Sequence, residues 1–402
     1  MTGLIALSLV LAACSPIPDK TARPTGTPIA VGSVLSLSGS QATGGQMAKE
    51  GFLFCQNWVN GKGGITVTGS GHPLTIDFAD DQSRPSIAAA LTDQMISSKH
   101  TLLLGPSNDA TTARAAPIAE QHEVPMLSSG ASSDGIFNNH YHYLFSVLAP
   151  NSRQLQGVID MALSLNPKPQ SVAILYASDS LSSEVANATA AYASAKGLGV
   201  VYGANYTSGV NDLSGQLGAA AGSGAELLLE IGHPAESVRT IQQAQWMNIQ
   251  PKLLAFSNGP GEAAFVSRLH KAANFSVGTT QWAAGARNRI SYFLDGFHYA
   301  LAYQTQFGHL PDDHAAAATA ACLTLEVAIE KANSTEPRRV HDALGVIDLQ
   351  TFFGPIKFDD RGANAAKPVY VQQVQSGRTV VVWPPEIAGA APRYPDPGWA
   401  KR

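Results

Sequence analysis

The apolar positions of this chain change period as they run, and the changes mark out its elements. Ile29–Leu37 is a short β-rich run closed by Ser38-Gly39-Ser40 and Gly44-Gly45. Met47, Gly51, Phe54, Cys55 and Trp58 then fall on one face at helical spacing. Asn60-Gly61-Lys62-Gly63-Gly64 stops that helix. Leu74–Ala79 predicts a second strand, and Ile87, Leu91 and Met95 predict a second helix. Thr101–Gly105 and Val124–Ser128 are short apolar strands, each followed by a Ser- and Gly-rich segment. This β-α-β-α rhythm calls for a parallel sheet with helices on both faces.

The rhythm then starts again. Phe145–Val147 leads through Pro150 into a helical stretch. Val172–Tyr176, Gly199–Tyr202, Leu227–Ile231 and Leu253–Phe256 read as strands, with helical patterns near Glu184–Lys196 and Ala235–Met247 between them. A second doubly wound sheet is the economical reading. Two long helical stretches follow Gly278-Thr279-Thr280, at Ile290–Phe307 and Asp312–Lys331. Beyond Phe352 the pattern becomes a hairpin, Pro368–Gln375 and Arg378–Trp383 around Ser376-Gly377; the Pro-rich stretch from Pro384 reads as a surface wrap.

Length and composition narrow the field. A chain of 402 residues exceeds one compact core, so two lobes are expected. Charged residues make up 14%, well under the roughly 25% of an average globular protein. There is no basic run, and the net charge is −4, which argues against a nucleic-acid surface.

The first residues stand apart. Leu4–Ala13 is apolar, small and uncharged, too short to span a bilayer but suited to the core of a signal peptide. Leu11-Ala12-Ala13-Cys14 resembles a bacterial lipobox, which implies removal of residues 1–13, acylation of Cys14 and a flexible tether over 14–27. The pattern departs from that of such leaders in lacking Lys or Arg before the apolar run, consistent with a start codon placed too late; the alternative is a buried N-terminal element with an incidental Cys. Cys55 and Cys322 both sit in apolar helical patterns. They read either as free buried thiols or as a bridged pair, and sequence alone does not bring them together.

In open parallel sheets, ligands bind beyond the carboxyl ends of the strands. Three loops there share a composition: Ser38-Gly39-Ser40, Ser107 to Thr112 (with Asn108, Asp109, Ala110 and Thr111), and Ser128 to Asp134 (with Ser129, Gly130, Ala131, Ser132 and Ser133). Small side chains, hydroxyls and backbone N–H groups at helix starts suit an anion or carboxylate; they equally make ordinary helix caps.

Several stretches together carry a family resemblance. They are Asn60-Gly61-Lys62-Gly63-Gly64-Ile65, Asp80-Asp81-Gln82-Ser83, Gly105-Pro106, Val124-Pro125-Met126-Leu127-Ser128, Gly232-His233-Pro234, and Phe352-Phe353-Gly354-Pro355-Ile356-Lys357-Phe358-Asp359. In this order and spacing, the chain resembles the leucine/isoleucine/valine-binding group of type I periplasmic solute-binding proteins from Ile29 to Trp383. The resemblance implies an α/β fold: two doubly wound parallel-sheet lobes joined by three hinge crossovers. Lobe one would hold residues 28–148 plus 280–350, and lobe two 149–279 plus 351–383, with 384–402 a Pro-rich tail.

Positions transfer residue by residue. The third-loop ligand sites become Gly130 and Ser132, flanked by Ala131. The second-loop serine becomes Asp109, beside Ala110, where a carboxylate would repel a ligand carboxylate and favour an amine or hydroxyl, or else cap its helix. Gly44, Leu181 and Gly232 stand where the relatives carry Tyr, and an acidic amine-binding site falls near Asn258, so the pocket is no copy of a leucine pocket. Trp282 is the aromatic candidate for stacking, against a core Trp at the hinge. His233 is a candidate donor from lobe two, against a structural role.

The implied function is delivery of a small solute (an amino acid, small amide, or aromatic or hydroxy acid) to a membrane permease driven by a cytoplasmic ATPase. It implies a monomer on the outer face of the cytoplasmic membrane, with no cofactor. A sensor of the same fold is the runner-up, and a lipid-anchored hydrolase of small amides or esters trails. No Gly-x-Ser-x-Gly elbow or Walker-type loop is present, and His122-Glu123 lacks a zinc-protease partner. His140, His142, His309 and His314 lack a metal-ligand spacing.

Overall fold

The computed structural model describes residues 24–402; the expectations for the leader, for Cys14 and for most of the tether lie outside the described residues. Two large sheets form, as the restarting rhythm predicts, beside two small antiparallel hairpins, Ile65–Val67 with Ser70–His72 and Leu349–Thr351 with Gly354–Ile356. The first has β1 (Ile29–Leu35), β2 (Leu74–Asp80), β3 (Leu103–Leu104), β4 (Met126–Ser128) and β5 (Leu144–Ser146), in the order β2-β1-β3-β4-β5 and parallel throughout. Its inner strands are buried on both faces almost throughout, as a sheet covered twice by helices requires.

The second sheet holds β6 (Ser171–Ala177), β7 (Gly199–Tyr206), β8 (Leu227–Ile231), β9 (Leu253–Phe256), β10 (Val277–Thr280), β11 (Tyr370–Gln375) and β12 (Arg378–Trp383). Its order is β12-β11-β10-β9-β8-β6-β7, parallel except for the terminal hairpin, which adds antiparallel to β10. β10 had no clear signal, because Gly278-Thr279-Thr280 reads as a turn. It forms because β9 and β11 supply ladders on both sides.

Helices Ala42–Gly61 and Asp313–Ala332 pack closely over the first sheet. Gly51 allows the approach, since a Cβ there would lie 2.2 Å from the Ala315 carbonyl oxygen. Cys55 and Cys322 form a disulfide across this pair, with Cα atoms 6.1 Å apart. The helix expected over Ile290–Phe307 begins only at Gly296. Asp295 caps it through the His298 N–H, while Tyr292, Phe293 and Leu294 turn onto the core instead.

One boundary moves. Phe352, Phe353, Ile356 and Phe358, assigned above to lobe two, are buried in the core of lobe one; four apolar side chains at that surface outweigh the chain's later direction. The chain returns to the second sheet only at Tyr370. The C-terminal stretch lies against lobe two, where Trp399 Nε1 donates to the Ile249 carbonyl and Arg402 pairs with the Asp396 carboxylate.

Three crossovers meet at the hinge. The Ala149 N–H donates to Gln281 Oε1 at 3.1 Å, and Gln281 Nε2 donates back to the Ala149 carbonyl at 3.2 Å. Arg153 Nη1 donates to the Ala365 carbonyl of the third crossover.

Candidate ligand-binding cleft

Between the lobes lies a cavity of about 300 Å³, lined by Asp109, Ser129, Gly130, Ser132, Asp313 and His314 from lobe one and by Leu181, Gly232, His233, Ser257 and Asn258 from lobe two. A larger cavity of about 570 Å³ lies against the crossovers, with Arg153, Arg287, Arg289 and Trp383 in its wall. Buried polar groups decide between them. Ser129 Oγ and Asn151 Nδ2 lack hydrogen-bond partners although the residues are only 4% and 6% exposed, and both line the cleft. A buried donor left open costs about 1–3 kcal/mol, which a bound solute would recover. None of the unpartnered groups among the described residues faces the larger cavity.

The lobe-one wall is built by packing two loops at van der Waals limits. Gly130 is required, because a Cβ there would lie 2.1 Å from the Ser107 carbonyl oxygen and 2.5 Å from the Asn108 nitrogen. Asn108, not Asp109, caps the helix Asp109–Gln121, accepting from the Thr111 N–H. That frees the Asp109 carboxylate for the neighbouring loop. Its Oδ1 accepts from the Ser132 N–H at 2.7 Å and the Ser133 N–H at 2.8 Å, and its Oδ2 from Ser132 Oγ at 3.3 Å. Burial pushes the Asp109 carboxyl above its ordinary range, against the pull of these hydrogen bonds. Of the two roles expected for Asp109, the helix cap falls to Asn108; in the cleft wall Asp109 cross-links two loops.

On lobe two, the fully buried Glu230 in β8 accepts from the Tyr206 hydroxyl and from Ser237 Oγ at 2.9 Å. Burial, with Glu236 nearby, pushes its carboxyl up to about 7. Glu236 accepts from the His233 N–H at 2.7 Å, fixing the turn that carries His233. His233 Nε2 lies 3.1 Å from Asp179 Oδ2. Opposite, His314 Nδ1 lies 3.3 Å from a carboxylate oxygen of both Asp312 and Asp313, whose hydrogen bonds push its imidazole up to about 10. These three side chains bring their ligand atoms within 4.8 Å of one another, but Asp312 also caps its helix through the Ala315 N–H.

Six of the nine positions singled out in the sequence meet in this cleft: Asp109, Gly130, Ser132, Leu181, His233 and Asn258. Three do not. Ala110 is exposed off the cleft. Ala131 is fully buried in the lobe-one core, its N–H donating to Ser128 Oγ. Trp282 is only 6% exposed and packs edge-on against Tyr299 and Phe352, so its ring is core and not a stacking platform. Asn151 and Asp313 were missed, and Ser129 was named only as a member of the third loop. A Ser-rich loop and the first residue after Pro150 were the available signals.

Besides the bonds of Ser152 to Asp134, a contact from a lobe-two helix crosses between the lobes beside the cleft. Glu184, on the lobe-two helix Ser180–Ala195, accepts from Ser133 Oγ at 3.0 Å and from the Asp134 N–H at 2.7 Å.

This geometry agrees with comparison to known proteins. Leu/Ile/Val-binding protein homolog 8 of Brucella abortus (strain 2308) is 24% identical over 384 residues, covering 90% of this chain and 92% of that protein. The branched-chain amino acid transporter substrate-binding protein of Streptococcus pneumoniae, in complex with isoleucine, superposes with a TM-score of 0.70 at 20% identity, covering 88% of this chain and 97% of that one. An ABC transporter solute-binding protein from R. palustris, in complex with benzoate, gives a TM-score of 0.70 at 15% identity, covering 90% of this chain and 98% of that one. The fold is that of type I periplasmic binding proteins. The periplasmic binding protein profile matches residues 28–379, both sheets and the cleft between them, and the chain therefore belongs to that family.

Proposed function

We propose that this chain is the extracytoplasmic solute-binding component of an ABC importer, held to the membrane by lipid on Cys14 and working as a monomer. The observation that carries the reading is the interlobe cleft, with Ser129 Oγ and Asn151 Nδ2 buried in its wall and unpartnered. The Cys55–Cys322 disulfide supports an oxidising compartment outside the cytoplasm.

Capture works by hinge closure. A solute docks on the lobe-one loops, and lobe two rotates about the three crossovers until both walls touch it. The closed form is then selected by contacts that exist only with both lobes in place. Glu184, reaching from lobe two to the third loop of lobe one, is such a contact. A permease that recognises the closed shape would receive the solute. The two histidines of the cleft face carboxylates, His233 that of Asp179 and His314 those of Asp312 and Asp313.

The test is a thermal-shift screen of amino acids, amides, amines, and aromatic and hydroxy acids, followed by small-angle scattering with each hit. A bound solute raises the melting temperature by mass action and contracts the particle. Absence of any hit, or a hit that is chemically converted by the purified chain, would refute the reading.

A further inference from the structure

The lobe-one wall is shaped for an anion, and the chain fills it with its own. The Ser132 and Ser133 N–H groups, which open the third loop towards the cleft, both donate to Asp109 Oδ1, at 2.7 and 2.8 Å. A solute carboxylate approaching that loop finds its donors taken and a negative charge in place.

The cationic group at the cavity, His314, is already matched by Asp312 and Asp313. Among the described residues, no Lys or Arg lines the cleft. Its two imidazoles are already turned to carboxylates, His233 to Asp179 and His314 to Asp312 and Asp313. The second aspartate of the lining, Asp313, is half-exposed and spends its charge on His314, so this pair leaves no free cation for a solute anion. The unpartnered donor Asn151 Nδ2 lies beside Asp109 without a hydrogen bond of normal geometry to it, so an anion drawn to that donor meets the Asp109 charge. An uncharged acceptor, such as an amide carbonyl, does not. Ser129 Oγ, buried and open, serves an N–H or a carbonyl equally.

We infer that the cleft recognises its solute through an amine or carboxamide and not through a free carboxylate, with Asp109 the residue that sets this preference. The shared chemistry is an N–H donor group without a neighbouring anion. The inference rests on the reading of this cleft as a solute site and narrows it.

The experiment compares matched pairs that differ only in this group, L-leucinamide against L-leucine and benzamide against benzoate among a wider set, by calorimetric titration of the full chain. The wild-type protein is expected to bind the amide member of a pair about tenfold tighter or more, the effect of one nearby unscreened charge. Asp109→Ser, which frees the Ser132 and Ser133 N–H groups, is expected to raise carboxylate affinity and shrink or reverse the ratio. Asp109→Asn keeps the shape and removes the charge, and narrows the ratio even if the serine variant is poorly folded. Wild-type hits that prefer carboxylates, or a preference for amides untouched in both variants, overturn the inference while leaving solute capture intact. A wild-type protein that binds no member of any pair overturns both.

Discussion

Glu230 is a residue whose charge the fold accommodates poorly, and replacing it with Gln tests the structure of lobe two directly. The side chain sits one residue before the end of β8, fully buried, with the Tyr206 and Ser237 hydroxyls as donors and Glu236 as an acidic neighbour. Burial raises its carboxyl from 4.5 to about 7. The folded state therefore keeps a proton that the unfolded chain has already lost. Between about pH 4.5 and pH 7 the unfolded state binds fewer protons than the folded one, so stability falls as pH rises through that window and levels off above it. At about 1.4 kcal/mol per unit, the loss amounts to about 3 kcal/mol. For a lobe of this size that is on the order of 5–10 °C in melting temperature. Glu230→Gln cannot ionise and should lack this part of the slope. Differential scanning calorimetry of both proteins from pH 4.5 to pH 8 checks it, because every other titrating group is common to the two and cancels in the difference. If the two curves run parallel, Glu230 is ionised in the folded state, and the account of its burial is wrong.

Other perturbations reach the remaining supports. Gly130→Ala places a Cβ against the backbone of Ser107 and Asn108, which no rotamer change relieves; it should cost about 1–3 kcal/mol and weaken any solute found by the thermal-shift screen, and a normal melting point with normal binding would contradict the loop packing. Replacing Cys55 and Cys322 together by Ser opens a loop spanning 267 residues and should cost about 3–5 kcal/mol. A reductant should lower the wild-type melting point towards that of the variant, read alongside a thiol assay. Lys367 is fully buried over Phe353 and Tyr370, and burial holds its amine well below the ordinary lysine range. The unfolded chain binds the proton that the folded one refuses, so wild-type stability should rise with pH towards that range. Lys367→Met should be more stable at neutral pH by about 1–3 kcal/mol, with the Phe353 carbonyl left to share the Tyr370 hydroxyl with Asn288 Oδ1; urea titration at pH 7 and pH 9 decides it.

Much of the fold was legible because strands and helices here are written in local periodicity. The two sheets, the break near Pro150 and the terminal hairpin all follow from short stretches of sequence. What failed was set at long range. β10 needed partners on both sides, one of them about a hundred residues later. The helix at Gly296 starts late because a single aspartate captures its first turn. Trp282 could not be placed in core or cleft from its neighbours, since its packing partners Tyr299 and Phe352 come from two other segments. Asp109 looked like a cap or a ligand contact because its actual partners lie 23 and 24 positions away. The disulfide carried no sequence signal for the same reason. Glu230 did leave one, a lone acid inside the apolar run Leu227–Ile231.

The failures at the cleft have a common origin. Serine-rich loops at the carboxyl ends of strands expose N–H and hydroxyl donors, and from sequence alone these look like invitations to an external anion. In the folded chain, carboxylates answer them from within. Asp80 accepts from the Leu37 and Ser38 N–H groups, Asp81 from Ser36 Oγ and the Ser83 N–H, and Asp109 from Ser132 and Ser133. Asp134 accepts from the Ser152 N–H and hydroxyl, and Glu236 from the His233 N–H. Each carboxylate ties one loop to the next, so rigidity of the walls and removal of anion sites are the same interaction. A chain with few charges has concentrated several of them behind the loops that frame its cleft. The donors left over, Ser129 Oγ and Asn151 Nδ2, are uncharged, and they are what a solute has to meet.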